Sequence, residues 1–332
     1  MSPFLAALAL AALPARAQAP KPLGAPKSYG ILVLAYDVDV KWRQELANLS
    51  RQLKGHPVET VDSAGDPISV QRAVDRLVAQ KAAQVVAIPL ETVSESARLD
   101  TTRFLFGVRP DPVLDVPGSD SGDLADKSVP TIKPVRKSSL SLPSDQKRGG
   151  GGAGSTLTPL KSPVPLVLAP ALDKSPLLVA ILADRAKALS PTPARESLVL
   201  AGVGPRNDKA LKDWKTAAQA IASAVAAKAG YRKGVAVAVR DGVRASQQDA
   251  DKAELQSTLR GLIREGRVAV VPLSPEADRV DQLLKKSTGG FLAYRWNGQG
   301  IQGDARLLDW IKASAEKAAN LPDGRQFSGG KK

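Results

Sequence analysis

Short, continuous apolar runs alternate with helix-length amphipathic stretches along this chain, and the alternation runs through two rounds. That pattern constrains the fold more than any other feature. A strand buried on both faces of a parallel sheet reads as an unbroken apolar run, and the helix that follows carries the chain back for the next strand. In the first round the run at 30–35 (GILVLA) is such a strand, and Trp42, Leu46, Leu49 and Leu53 then recur at helical spacing until Gly55 stops them. Residues 58–61 form the second strand, Val70, Val74, Leu77 and Val78 mark the next helix, and 85–89 (VVAIP) is the third strand. Residues 165–169 and 177–189 supply a fourth strand and a helix. The second round predicts strands at 198–201, 235–239, 267–272 and 291–296. Its helices fall at 209–229, 250–265, 277–284 and 305–319. The rounds match in detail. LVLA at 32–35 followed by Trp42 parallels LVLA at 198–201 followed by Trp214, and VVAIPL at 85–90 parallels VAVVPL at 268–273. A duplicated α/β lobe explains both sets. The expected fold is α/β, with two Rossmann-like lobes, each a parallel sheet flanked by helices, and a cleft at the carboxyl ends of the strands.

The remaining segments set the domain organisation. An apolar run over residues 3–13 leads to Ala17-Gln18-Ala19, the small-x-small pattern that signal peptidase accepts. Residues 1–19 are therefore expected to be a signal peptide, cleaved after Ala19 to give a periplasmic or secreted protein. From 109 to 163 the periodicity gives way to Pro, Ser, Gly and Lys, which predicts a poorly ordered insert. The N-terminal lobe then covers 28–190, the C-terminal lobe 196–320, and 321–332 is a flexible tail. After the N-terminus no apolar run approaches the roughly 18 residues of a membrane span, so none is expected.

The 332 residues include no cysteine, which removes disulfides, thiolate nucleophiles and cysteine-held metals. The net charge of +14 would attract acidic partners, but many positive charges fall in the insert and tail: Lys133, Arg136, Lys137, Lys147, Arg148, Lys331 and Lys332. Aromatic residues make up 4% of the chain, too few for stacking platforms, so nucleic acid is not an expected partner. Gly202-Val203-Gly204-Pro205 lacks the Gly-Lys-Ser/Thr ending of a phosphate loop and reads as a strand-to-helix turn. Ser94, Ser96 and Ser274 have no histidine nearby, which argues against a hydrolase triad. Trp42, Trp214, Trp296 and Trp310 sit among apolar neighbours and are expected to pack.

The loops after the first and third strands of each lobe face the expected cleft. They carry Tyr36, Asp37 and Asp39; Glu91 and Glu95; residues 203–208; and residues 274–278. The layout and the segments at 30–42, 88–96, 103–107, 171–173 and 198–208 resemble the CbiX-type sirohydrochlorin chelatases. The resemblance implies a cobalamin- or siroheme-type lyase that inserts Co²⁺, Ni²⁺ or Fe²⁺ into a tetrapyrrole, using histidines after the first and third strands. This chain has Tyr36-Asp37 where His-Gly would stand, Glu95 at the second histidine position, and Val203 where the second lobe often has another. Its single histidine, His56, lies in a turn before the second strand.

The expected function is a chelatase-like protein that has lost efficient metal insertion and holds a metal, a tetrapyrrole or another small ligand between its lobes. Two alternatives stay open. One is an active chelatase in which Tyr36 and Glu95 are catalytic and Tyr36, Asp37 and Glu95 bind the metal. Such oxygen ligands suit Mg²⁺, Ca²⁺ or Mn²⁺, and a buried Glu95 would accept protons near neutrality. The other is a non-enzymatic envelope protein tethered to a partner by the basic insert.

Overall fold

The computed structural model describes residues 28–36, 40–53, 55–111, 157–275, 277–290 and 292–327. The expected signal peptide, Asp37, Asp39 and most of the expected insert lie outside them. No helix among the described residues is long and apolar enough to cross a membrane.

In the first lobe β1 (Gly30–Leu34), β2 (Val58–Val61), β3 (Val85–Pro89) and β4 (Leu166–Leu168) form a sheet in the order β2-β1-β3-β4. In the second, β5 (Ser197–Val203), β6 (Lys233–Val239), β7 (Val268–Pro272) and β8 (Arg295–Trp296) repeat that order as β6-β5-β7-β8. Every pairing is parallel. The first and third strands of each lobe are therefore neighbours, with Ile31 beside Val86 and Leu198 beside Ala269. The eighth strand is only two residues long, shorter than the 291–296 run suggests.

Successive side chains of a strand point to opposite faces, and here both faces are dry. Ile31 and Val33 join a core shared with Leu198, Leu200 and Trp214 of the second lobe. Leu32 and Leu34 pack instead with Val70, Val74 and Leu77 on the outer face of the first sheet. Val199 and Ala201 do the same on the outer face of the second, with Leu255, Leu259 and Leu262. The doubly buried strands explain the continuous apolar runs.

The helices are α1 (Val40–Gln52), α2 (Pro67–Ala79), α3 (Ala97–Leu105), α4 (Pro176–Lys187), α5 (Asp208–Ala229), α6 (Ala245–Glu265), α7 (Ala277–Thr288) and α8 (Arg306–Ala319). Their starts follow local chemistry. The Asp66 carboxylate accepts the Ile68 and Ser69 amides ahead of Pro67, Ser96 Oγ accepts the Leu99 amide, and Asn207 Oδ1 accepts the Ala210 amide. Helix α5 ends at Gly230, whose left-handed φ of 81° suits glycine.

The lobes exchange helices, which moves the expected lobe boundaries. Helix α4, inside the 28–190 span, packs on α5 and β7 of the second lobe, whereas α8, inside 196–320, packs on β3 and β4 of the first. Helix α4 (PLLVAILADRAK) is apolar around most of its circumference, as a helix enclosed between two layers must be. The last described residues are also less free than a flexible tail. The Gly324 amide donates to Leu166 O at 2.8 Å, the Phe327 amide to Gly107 O at 3.0 Å, and an Arg325 guanidinium nitrogen to Ser162 O at 2.7 Å. Residues 322–327 thus strap the free edge of the first sheet beside β4. The stretch expected to be poorly ordered also contracts at its end, since Leu160 is buried and its amide donates to Leu105 O at 2.8 Å.

Candidate functional site

Where the carboxyl ends of both sheets face each other there is a cavity of about 270 Å³. The first lobe contributes Tyr36 after β1, Glu91 and Thr92 after β3, and Ser96 and Arg98 at the start of α3. The second contributes Val203 to Arg206 after β5, Asp241 after β6, Ser274 and Pro275 after β7, Arg279 in α7, and Trp214 beneath them. A direct bond closes the two lobes beside it, Thr92 Oγ1 donating to Leu273 O at 3.2 Å.

The loop after β3 is held from outside the cavity. Asp173 accepts the Ser94 amide at 3.0 Å and the Ser94 hydroxyl at 2.6 Å, and an Arg103 guanidinium nitrogen donates to Ser94 O at 3.0 Å. Two of the segments that carry the family resemblance, at 103–107 and 171–173, therefore serve to brace this loop.

Tyr36 lines the cavity wall with only 5% of its surface exposed, and its hydroxyl bonds to Thr102 Oγ1 at 2.8 Å. Burial, assisted by nearby Glu91, pushes its pKa far above the ordinary phenol value, so a metal-binding phenolate is disfavoured. Glu95 is not among the lining residues. Its carboxylate, 38% exposed, faces Lys174 Nζ at 3.8 Å, while its shielded Oε2 meets no hydrogen-bond donor. Asp37 and Asp39 fall outside the described residues. Among those described, no three His, Asp or Glu side chains gather as a metal site would require. His56 stacks on Tyr29 at 4.1 Å and its Nδ1 lies 3.3 Å from Tyr29 O, apart from the cavity.

The acids at the cavity are Glu91 and Asp241. The Glu91 carboxyl is withdrawn from water, which raises its pKa against the opposing pull of Arg98 and the Thr92 amide. Around it stand three half-buried arginines, Arg98, Arg206 and Arg279. Arg206 Nε donates to Asp241 O at 3.0 Å. Behind the rim, Arg240 binds Asp251 through two nitrogens at 2.6 and 2.7 Å, Asp208 at 2.6 Å and Arg206 O at 3.1 Å. Of the three arginines that line the cavity, Arg206 falls within the stretch 203–208 expected at the cleft, whereas Arg98 and Arg279 lie just outside the expected positions. Their signal was positional, since Arg98 and Arg279 lie in the first turns of α3 and α7 and Arg206 in the turn before α5.

No protein-family model matches the sequence, and no curated protein matches it. Solved structures do. SirB from Bacillus subtilis, solved with Fe³⁺, is 12% identical over 88% of this chain and 96% of its own, with a TM-score of 0.48. DR2241 from Deinococcus radiodurans, described as a multi-domain protein with structural similarity to chelatases and two additional novel domains, is 14% identical. The match covers 92% of this chain and 57% of that one, with a TM-score of 0.41. An ABC transporter solute binding protein from Burkholderia multivorans is 12% identical over 89% of this chain and 90% of its own, with a TM-score of 0.32. At such identities these are likenesses of fold, and no activity passes from them to this chain.

Proposed function

We propose that this protein holds a small ligand in the cleft between its lobes and does not insert metal into a tetrapyrrole. The cavity itself carries the reading: residues of both lobes close around a space of about 270 Å³ that has a charged lining. Pockets for drug-sized molecules run to about 300–1,000 Å³. The enclosed space is smaller than these, which supports a compact ligand over a tetrapyrrole macrocycle. The positions expected to replace the family's histidines argue the same way. The Tyr36 hydroxyl is committed to Thr102, and Glu95 faces Lys174 away from the cavity lining. The sequence resemblance to CbiX-type chelatases supports the location of the cleft, while the changed residues support the loss of the chemistry.

Anaerobic incubation of the purified chain with sirohydrochlorin and Co²⁺, Ni²⁺ or Fe²⁺, followed by absorbance, tests the second half of the proposal. The expected rate equals that of the protein-free control for all three metals. Metal-dependent turnover that Glu95→Ala abolishes would replace this reading with an active chelatase.

A further inference from the structure

Both sheets end in strands whose outer backbone groups are open to another chain unless something covers them, and two of those edges are closed by the same device. At the β4 edge the Asp323 carboxylate accepts the Leu166 amide at 3.3 Å, and the Gly324 amide donates to Leu166 O at 2.8 Å. At the β6 edge one side chain does both. Gln219 Nε2 donates to Gly234 O at 2.9 Å, and the Ala236 amide donates to Gln219 Oε1 at 3.0 Å. These are outward-facing groups of β6, since Val239 O, an odd number of residues away, turns inward to the Gly204 amide at the end of β5. A carboxamide suits the place because it offers a donor and an acceptor side by side, as a neighbouring strand does. Gly234 makes the reach possible. A Cβ there would lie 2.2 Å from Ala222 O, so the glycine lets α5 lie against the edge strand, with Gln219 one turn before Ala222.

The strand needs such a guard. Residues 234–239 (GVAVAV) hold no charge and no proline, and an uncharged strand of this kind at a sheet edge invites pairing with another strand. The neighbouring cover is weak. Lys215 of α5 meets Glu254 of α6 at 2.6 Å beside β6, but their side chains are 34% and 60% exposed, and ion pairs so open to water contribute little. We propose that Gln219 seals the β6 edge and thereby keeps the protein from joining a second copy of itself strand to strand. A second copy is the fitting occupant because it brings the same uncharged strand, which pairs antiparallel with itself about a two-fold axis.

The seal is local, so its removal leaves the lobe folded: Gln219 is half-buried, and alanine favours the helix more than glutamine does. Sedimentation velocity of the full chain over rising protein concentration compares the wild type with Gln219→Ala, and circular dichroism confirms folding. Gln219→Ala is expected to shift to double the wild-type mass or more, while the wild type keeps its mass throughout. Gln219→Met, which keeps the length and loses both bonds, is expected to behave in the same way. Gln219→Glu keeps an oxygen for the Ala236 amide and adds a charge to the edge, and is expected to stay at the wild-type mass. Hydrogen exchange locates the contact. In dilute Gln219→Ala the Ala236 amide is expected to exchange at least about fivefold faster than in the wild type, the factor for a hydrogen bond worth about 1 kcal/mol, and to slow again in the associated form. Alanine and methionine variants that keep the wild-type mass at every concentration would overturn the proposal. So would association that leaves residues 234–238 exchanging as fast as in the dilute sample, because the contact would then lie on another face.

Discussion

Trp214→Ala is expected to destabilise the protein by about 3–5 kcal/mol, the range for removing a fully buried large aromatic. Trp214 is 2% exposed, belongs to the core shared by both lobes, and forms part of the cavity wall. Its ring lies so close to β5 that a Cβ added at Gly202 would meet it at 2.7 Å and Leu273 O at 2.8 Å. The backbone there cannot retreat, so Gly202→Ala should cost about 1–3 kcal/mol through overpacking. Urea unfolding followed by circular dichroism measures both losses. If Trp214→Ala costs less than about 1 kcal/mol, the ring is not the contact that joins α5, the second sheet and the cleft.

Arg240→Ala is expected to cost about 1.5–3 kcal/mol, the range for losing hydrogen bonds between charged groups, because the acids it leaves behind, Asp251 and Asp208, are 20% and 59% exposed. The Arg240 side chain is 3% exposed and connects Asp251, Asp208 and the backbone of Arg206. Without it, the part-buried Asp251 loses a two-pronged partner and Arg206 O loses its donor. Arg240→Lys should rescue little, because an ammonium cannot reproduce the fork on Asp251. Replacing both members by apolar residues, as in Arg240→Met with Asp251→Leu, should recover much of the loss. Urea midpoints of the three variants check this ordering, and a fully rescuing lysine would show that charge alone matters at the site.

The strands were legible because burial on both faces leaves a continuous apolar run that little else in a soluble chain produces. The duplication was legible for the same reason, through the repeated LVLA and Pro-Leu strand ends. The partners of a helix were not. Helix α4 follows β4 in the chain, and nothing in its local pattern says that it covers the other sheet; only its nearly all-round apolar surface hinted at enclosure. Helix α3 went unread because its nine residues, with Arg98, Asp100 and Arg103 among them, give too short a helical stripe. Residues 322–327 read as a loose tail because they dock through backbone bonds, which composition does not encode.

At the site, position was legible and chemistry less so. Tyr36, Glu91, Val203 and Ser274 were expected at the cleft from strand order alone, and all four line the cavity. Arg206 fell within the expected stretch 203–208, but Arg98 and Arg279 were missed because an arginine in a helix's first turn ordinarily reads as a solvated charge. That they line one cavity with Arg206 depends on how the two lobes meet, which is a tertiary fact.

Native mass spectrometry of the protein purified from its own cells tests most directly whether the cleft holds a ligand. The account predicts an added mass on the folded protein, too small for a tetrapyrrole, that is released when the chain unfolds. A folded protein that flies at its bare mass, or an adduct of tetrapyrrole size, would contradict it.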